Sequence, residues 1–379
     1  MENEVKILFT SDIHLGITES ATGIPDSSRV NTFRKISAIA KSHDILLIAG
    51  DLIDNTDIKN EMLDVIKAEF ISMQNNNTAI LYTPGPGELS DNRVIPSFLY
   101  DLQATHIFSR TDQIEPYEFS KEGQKIFFYG IPAVNGYDIS KIKKASNEGF
   151  HIGLFHVDFA INHDNSGSST YKLNKDDFKS LDLDFYALGH RHNFKMFKID
   201  DKIIGAYPGS PEATSFDETG DRYAISLFIK NNQISQIRRL SVNTMKINRI
   251  EANCDEHTGI DQIIGQMENE KARNIIIKIF FSGKRNYIID LNRLKSYENS
   301  YYSLDIIDDS IPSIDVLIQE YENENSIRGE FYRILKYKIN NNNINRDEID
   351  LENLALSLKT IDRKGTEFME DWLCNSLNA

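Results

Sequence analysis

The segment DILLIAGDLID, residues 44–54, contains a continuous apolar run at residues 45–49 that ends in Gly50-Asp51. A strand of this composition is typical of a sheet that is buried on both faces, as parallel sheets in α/β proteins are. Residues 5–10 and 79–82 read as similar strands, and the amphipathic segments 29–42 and 58–74 read as helices between them. This alternation predicts α/β layering, with functional residues at the carboxyl ends of the strands.

The rest of the chain changes character twice. Strand patterns dominate up to about residue 240, and a small α+β unit follows, in which residues 274–281 form the clearest strand. From about residue 311 the pattern becomes helical, with an Asn-rich spacer at residues 340–343. We therefore predict three regions, at residues 1–240, 241–310 and 311–379, and the helices of the last region are predicted at residues 314–338, 347–358 and 364–376.

Composition limits the classes of function. The 379 residues carry a net charge of −15, which argues against binding nucleic acid through the whole surface, because phosphate contacts need Lys and Arg. A local basic patch, a metal-centred site or a positively charged partner stays open. No apolar run is long enough to cross a bilayer. The acidic N-terminus leads into a strand, and Cys254 and Cys374 make no disulfide framework, so we predict a cytoplasmic protein without a membrane segment.

Residues of the types that bind metal ions follow several predicted strands. Any one of them alone is more often a turn, a cap or a hydrogen-bonded surface residue, but together they indicate a metal site. Imidazole and carboxylate suit manganese, iron or zinc, and two such ions about 3.5–4 Å apart hydrolyse phosphate esters. The six residues are Asp12, His14, Asp51, His156, His190 and His192.

These motifs resemble, in order and spacing, the calcineurin-like metallophosphoesterases. Two stretches, at residues 9–16 and 207–218, are similar more specifically to the SbcD/Mre-type DNA double-strand break repair nucleases. The resemblance implies a four-layered αββα sandwich, a small α+β capping domain that contributes to DNA binding, and C-terminal helices. It also implies two divalent ions, manganese by preference. Asp12, His14, Asp51 and His192 would form the first metal site, and Asp51, His156 and His190 would be ligands of the second.

One loop departs from the family pattern. The family has Gly-Asn-His-Asp or Gly-Asn-His-Glu after the third strand, where the Asn completes the second metal site and the His assists at the scissile phosphate. This chain has Gly85-Pro86-Gly87-Glu88, so the second site is predicted to be weaker. Three interpretations stay open. The enzyme is slow or depends on a partner, a neighbouring side chain replaces the missing groups, or catalysis is lost. The candidate replacements are Glu88, Asp91, Asn92 and His163.

The function that the resemblance implies is that of a metal-dependent DNA nuclease subunit, an exonuclease or endonuclease in DNA repair. It would act as a homodimer, through helices at residues 58–74 or 92–104, with an SbcC-like ABC-type coiled-coil ATPase. The alternatives are a catalytically inactive scaffold that binds DNA ends and docks the ATPase, and a phosphodiesterase for nucleotides or small substrates. Two apolar stripes would dock the ATPase or pack on the capping domain: Phe331, Ile334, Leu335 and Tyr337 in one helix, and Leu351, Leu354, Leu356 and Leu358 in another.

Two arginines are left with two interpretations each. Arg29, before the first helix, either resembles an arginine that the family often has there or lies on a solvated helix face. Arg191, between His190 and His192, either meets a phosphate or has a surface role.

Overall fold

A computed structural model describes residues 4–17, 22–54, 58–88, 97–111, 114–133, 139–145, 148–160, 172–199, 202–256 and 259–341. The chain divides into two compact units, Met1–Ile247 and Asn248–Ala379. Their boundary lies a few residues beyond the strand that ends the sandwich described below.

The first unit contains fourteen strands and three α-helices in the part of the chain that the structure describes. In chain order they are β1 (Glu4–Thr10), α1 (Asp26–Ala40), β2 (Ile45–Ala49), α2 (Asn60–Gln74), β3 (Ala79–Thr83), β4 (Thr105–Ile107), β5 (Tyr117–Lys121), β6 (Gln124–Ile131), β7 (Phe150–His156), β8 (Asp158–Ala160), β9 (Lys172–Asn174), α3 (Lys175–Leu181), β10 (Phe185–Gly189), β11 (Lys195–Ile199), β12 (Lys202–Tyr207), β13 (Tyr223–Lys230) and β14 (Gln233–Ser241).

Two six-stranded sheets form the centre of this unit. The first has the strand order β14-β13-β1-β2-β3-β4, and the second has the order β11-β12-β10-β7-β6-β5. Strands β1 to β4 run parallel to one another, as do β6, β7, β10 and β12. The carboxyl ends of β1 and β2 lie side by side in one sheet, and those of β7 and β10 lie side by side in the other.

The side chains of β2 show how the layers are held together. Ile45, Leu47 and Ala49 belong to the core between the two sheets. Leu46 and Ile48 point the other way and pack with residues of α1 and α2, because successive side chains of a strand face opposite sides. A third cluster packs α3 on the outer face of the second sheet. The layering is therefore helix, sheet, sheet, helix, and the predicted αββα sandwich is confirmed.

The second unit combines a three-stranded sheet, of order β15-β16-β18, with short helices. Its elements are β15 (Lys246–Asn253), α4 (Ile260–Asn269), β16 (Ile275–Ser282), β17 (Lys284–Arg285), α5 (Leu291–Lys295), β18 (Ser303–Asp308), β19 (Ile311–Pro312), α6 (Ile314–Tyr321) and α7 (Ile327–Asn340).

The prediction of one continuous helix at residues 314–338 was wrong. Helix α6 ends at Tyr321, and α7 begins after Ser326, whose side chain accepts a hydrogen bond from the backbone N–H of Gly329 and so caps the new helix. Helices predicted at 347–358 and 364–376 lie outside the described residues, as does the second apolar stripe.

The helix predicted at residues 58–74 is present as α2, whereas the described part of 92–104 contains only a short 3₁₀ turn at Ser97–Leu99. Among the described helices, none is both long and apolar enough to span a bilayer.

Candidate metal centre

Four of the six predicted ligands have a left-handed backbone. Asp12, His14 and Asp51 have φ of 52°, 50° and 50°, and His190 has φ of 94°. They lie just beyond the carboxyl ends of β1, β2 and β10. For residues other than glycine this backbone conformation costs conformational free energy. It persists where the surrounding structure enforces it, and it is frequent at functional sites. The left-handed turns aim these residues back over the strand ends, towards one another.

The structure brings five of the six predicted ligands into two overlapping groups. Asp12, His14 and His192 form one, and Asp12, Asp51 and His156 form the other, each with ligand-type atoms within 4.8 Å of one another. The groups are linked twice. Asp12 belongs to both, and Asp51 Oδ2 lies 3.3 Å from His156 Nε2 and 3.9 Å from His14 Nε2. Asp51, the expected shared carboxylate, is therefore accompanied by a second one.

His190 takes part differently. Its backbone N–H donates to both Asp12 carboxylate oxygens, at 3.0 and 3.2 Å, and its ring lies edge-on to that of His156, with centroids 5.3 Å apart. The ring is thus next to the second group without belonging to it. The roles of the six residues as ligands stay a prediction, now with a defined geometry.

Three imidazoles of the centre are held by contacts of Nδ1, the ring nitrogen that faces away from the centre. His14 Nδ1 lies 2.7 Å from Asp54 Oδ1, His192 Nδ1 lies 2.9 Å from Glu218 Oε1, and His156 Nδ1 lies 2.9 Å from the Ala49 carbonyl oxygen. These acceptors place the ring proton on Nδ1 in each case. The Nε2 lone pairs then face the centre, which is the usual arrangement of metal-binding histidines and their supporting groups.

One contact shows that this donor set fits a cation. His14 Nε2 and His192 Nε2 lie 3.2 Å apart. With both protons on Nδ1, two lone pairs face each other beside the Asp12 and Asp51 carboxylates. Such a group of donors is stable only with a positive charge among them, either a proton or a metal ion. Nitrogen and carboxylate donors together suit a divalent transition metal.

The pKa values of two imidazoles and one carboxylate of the centre are shifted in the directions that favour positive charge on the imidazoles and negative charge on the carboxylate. Burial by itself would lower the pKa of His156, but the negative charges of Asp51 and Asp12 outweigh it and raise the pKa to about 10. Burial also opposes the shift at Asp51, yet the neighbouring imidazoles, His156 first, hold the pKa of this carboxyl well below its usual range. For His14, burial is outweighed by Asp54 and Asp51, and its pKa is raised. The shifts thus show a centre of negative potential, which suits a bound cation.

Two glycines make room for the ligand side chains. A Cβ at Gly85 would lie 2.0 Å from Asp51 Oδ1, and a Cβ at Gly189 would lie 1.8 Å from the Ala49 carbonyl oxygen and 2.9 Å from His156 Nδ1. The loop after β3 therefore packs directly against the Asp51 carboxylate. This contact requires glycine at position 85, independently of which residues stand at positions 86 and 87.

Glu88, one of the candidate replacement acids, has a structural task. Its Oε2 accepts hydrogen bonds from the N–H groups of Asp51 and Gly85, and its Oε1 accepts one from Ile53. The side chain is buried, and burial, aided by the Asp51 charge, raises its pKa to about 7. With both oxygens engaged, this carboxyl group holds the two loops together, and its role as a replacement acid stays a prediction. Asp91, Asn92 and His163 lie outside the described residues.

Sequence reasoning missed the two carboxylates that orient the histidines. Asp54 lies in the second motif and was given no role. Glu218 is buried and also accepts from Ser210 and Thr214. Burial raises the pKa of Glu218, but the hydrogen bond from His192 and those from Ser210 and Thr214 prevail and hold it well below its usual value. The available signals were the position of Asp54, three residues after Asp51, and that of Glu218, at the end of the stretch 207–218.

The structure decides against one of the two interpretations of Arg29. Its guanidinium is buried and donates to the carbonyl oxygens of Glu212 and Ala213. A solvated helix face is therefore wrong for this residue. It ties α1 to the loop that leads from β12 to Glu218.

Replacing Glu218 with glutamine is expected to weaken metal binding by about 10- to 100-fold, the usual effect of losing a group that supports a ligand histidine. The amide is uncharged and can present its NH₂ group to Nδ1, which favours the wrong imidazole tautomer of His192. Titration calorimetry with Mn²⁺ measures the change. Glu61→Gln, at an exposed position in α2, is the control, and equal affinities for the two variants would contradict the role of Glu218.

Comparison with known proteins agrees with this geometry. The sequence model of the calcineurin-like phosphoesterases matches residues 5–194, half of the chain. The chain is 24% identical over 253 residues to a protein of Bacillus subtilis named uncharacterized metallophosphoesterase YhaO, covering 62% of this chain and 60% of the relative. It is 22% identical over 236 residues to the DNA double-strand break repair protein Mre11 of Methanopyrus kandleri, covering 57% of this chain and 51% of the relative.

The chain thus spans between half and two thirds of the length of both relatives. Among solved structures, a dimetal phosphatase from Danio rerio aligns over 63% of this chain and 98% of its own, with a TM-score of 0.41 and 12% identity. The matched residues 5–194 contain Asp12, His14, Asp51, His156, His190 and His192. The chain belongs to the calcineurin-like phosphoesterase family.

Proposed function

We propose that the protein is a metal-dependent phosphodiesterase that acts on DNA, as the nuclease subunit of an end-processing complex. The observation that carries the proposal is the pair of overlapping ligand groups, with three Nε2 atoms and two carboxylates turned to one centre. Divalent ions bound there would supply a nucleophilic hydroxide at neutral pH and neutralise charge on the phosphate.

The residues of the chain have distinct tasks in this proposal. Asp12 and Asp51 hold the two groups together, and each histidine offers one lone pair in a fixed direction. Asp54 and Glu218 keep the protons of His14 and His192 on Nδ1, so that Nε2 stays an acceptor. Glu88 fixes the backbone around Asp51. All of these residues hold the ions or orient the residues that do, and the chain has Gly87 where the family has the histidine that assists the leaving group.

The choice of DNA rests on two further points. The relative from Methanopyrus kandleri is named as a DNA double-strand break repair protein. The stretch at residues 207–218, which is similar to the SbcD/Mre-type nucleases, contains the groups that hold His192. The backbone N–H of Ser210 donates to the His192 carbonyl oxygen at 3.0 Å, and Glu218 accepts from the imidazole. These contacts support the nuclease branch over a phosphatase for small substrates.

A second candidate function is that of an inactive scaffold that binds DNA ends. Pro86 and Gly87 favour it, because proline offers no ligand atom and glycine no proton donor. The three oriented imidazoles of His14, His156 and His192 favour turnover, since a scaffold has no need of Asp54 and Glu218 beside them. Losing a positioned acid commonly costs about 10²–10⁴ in rate, so slow hydrolysis is the expected compromise.

The test is hydrolysis by the full chain with Mn²⁺, Mg²⁺, Zn²⁺ or a chelator. We expect Mn²⁺-dependent cleavage of linear DNA and of bis(nitrophenyl) phosphate, with a weaker effect on the corresponding monoester. Cleavage of the monoester alone would favour a small-substrate phosphatase. Metal binding and DNA binding without any cleavage would favour the scaffold.

We further propose that α7 docks an ABC-type coiled-coil ATPase, and that α2 contributes to a homodimer. Phe331, Ile334 and Tyr337 are 41%, 48% and 68% exposed on one face of α7, while Leu335 packs in the core of the α6–α7 pair. An apolar stripe on an exposed helix suits a helix-in-groove contact. Ile334→Glu should abolish co-purification with such an ATPase, and Lys338→Ala, also exposed on α7, should keep it. Retention by both would contradict the docking role.

A further inference from the structure

A basic strip, formed by Arg191, Lys195 and Arg239, lies beside the metal centre of this acidic protein. A cavity of about 320 Å³ is lined by His190 and His192 and also by Arg191, Asn193 and Lys195. Two of the predicted ligands thus line the cavity, so it adjoins the centre. We propose that this cavity and the basic strip beyond it bind successive phosphates of the nucleic-acid strand next to the scissile bond, an inference that rests on the proposed function.

The amide of Asn193 is preset to meet an acceptor. Arg222, which is buried, donates from Nη1 to Asn193 Oδ1 at 3.0 Å and from Nε to the Ser210 carbonyl oxygen. Because a guanidinium only donates hydrogen bonds, the contact fixes the amide with its oxygen inward. The NH₂ group of Asn193 is then directed away from Arg222, where it suits a phosphate oxygen.

Arg191 is anchored by one edge. Its Nε donates to Asp158 Oδ1 at 2.5 Å, and Asp158 lines the same cavity. The carboxylate offsets part of the charge, but it also fixes the plane of the guanidinium. A planar fork held in this way matches the geometry of a phosphate better than a mobile lysine does.

The positive charge continues past the cavity. Phe194 lines it, and the guanidinium of Arg239 lies over the Phe194 ring at 5.0 Å and over the Tyr223 ring at 5.1 Å. Arg238, the neighbouring residue on β14, points to the opposite face of the sheet and is not part of the strip. Stacking on the Phe194 and Tyr223 rings holds the Arg239 guanidinium group in place. A chain with a net charge of −15 therefore presents three cations, Arg191, Lys195 and Arg239, in and next to the cavity beside its metal centre, as an extended polyanion requires.

The classes of substrate differ in the number of regularly spaced phosphates that they carry. A monoester or a nucleoside monophosphate has a single phosphate, so none is left for Arg239 when that phosphate reacts at the histidines. A nucleic-acid strand has one phosphate per nucleotide. The strip therefore adds binding energy only for a polymer and makes chain length a determinant of specificity.

Binding without turnover tests the proposal directly. Fluorescence anisotropy of labelled oligothymidine, in Ca²⁺ and over a series of salt concentrations, gives the affinity and its salt slope. We expect Lys195→Ala and Arg191→Gln each to weaken binding several-fold and to reduce the log–log slope by about 0.7, the value of one single-strand phosphate contact. Lys198→Ala removes the same charge from another exposed position of β11 and should leave the slope unchanged.

Several results would overturn the assignment. Equal losses for Lys195→Ala and Lys198→Ala would mean that only net charge matters, and unchanged slopes in both strip variants would mean that no phosphate is bound there. Inorganic polyphosphate that binds more tightly than oligothymidine would exclude a nucleic-acid ligand.

The same preparations are assayed with bis(nitrophenyl) phosphate and Mn²⁺, which separates this inference from the proposed function. Strip-dependent binding without hydrolysis of the diester would support the strip and contradict the enzyme. Hydrolysis together with strip-independent binding would contradict the strip alone.

Discussion

Replacing Asp51 with alanine is expected to abolish Mn²⁺-dependent phosphodiester hydrolysis and to remove tight metal binding. The Asp51 carboxylate lies 3.3 Å from His156 Nε2 and 3.9 Å from His14 Nε2, so its loss takes a donor from both sides of the centre. Metal ions contribute several kcal/mol to charge stabilisation in such reactions, and each 1.36 kcal/mol of barrier is a factor of ten in rate. A decrease of about 10³-fold or more in kcat/KM follows.

Metal binding gives an independent measurement of the same change. A ligand at about 100 times its Kd stabilises the folded state by about 2.7 kcal/mol, so Mn²⁺ should raise the Tm of the wild type and leave that of Asp51→Ala nearly unchanged. Asp101→Ala, an exposed position in the same unit, controls for the loss of a negative charge. If Asp51→Ala kept the full Mn²⁺-induced rise in Tm, the proposed ligand geometry would be refuted.

The sandwich was predictable because its signal is local. Buried parallel strands such as β2 appear in the sequence as apolar runs, and each run ends where the chain leaves the sheet. The break between α6 and α7 was not predictable from periodicity, since residues 322–325 are Glu and Asn, which do not rule out a helix. The available signal was Ser326, a residue type that favours helix N-termini.

The candidate site was predictable in its residue types and only partly in its contacts. Asp12 and His14 were identified from their position after β1, but the sharing of Asp12 between two groups depends on how two sheets pack. The pairing of His192 with Glu218 and of His14 with Asp54 joins residues 26 and 40 positions apart. Such pairs are decided by the fold. The contacts of Glu88 were not predictable for the same reason, because its partners are backbone groups that sequence cannot place.

The loop at Pro86 and Gly87 gives the second large prediction. Gly85 packs against Asp51, and Pro86–Glu88 form a 3₁₀ turn that Glu88 braces through the N–H groups of Asp51 and Gly85. The two positions that differ from the family therefore lie in a turn whose ends are already fixed against the centre. The right-handed backbone of a 3₁₀ turn accepts ordinary L residues. The frame of the family's loop is kept, and what it lacks is one amide and one imidazole.

The double change Pro86→Asn with Gly87→His is therefore expected to raise Mn²⁺-dependent cleavage of linear DNA by about 10²-fold, the scale of a positioned general acid. The asparagine would add an amide oxygen as a metal ligand beside Asp51 and His156. The histidine would supply the proton for the leaving oxygen, which Gly87 cannot give. Pro86→Asn alone should improve metal affinity more than rate, whereas Gly87→Ala, which adds a side chain without a proton donor, should improve neither. A wild type that already cleaves DNA rapidly, and that the double change impairs, would show that another group has taken over the acid's task. His163 would then be the first residue to replace.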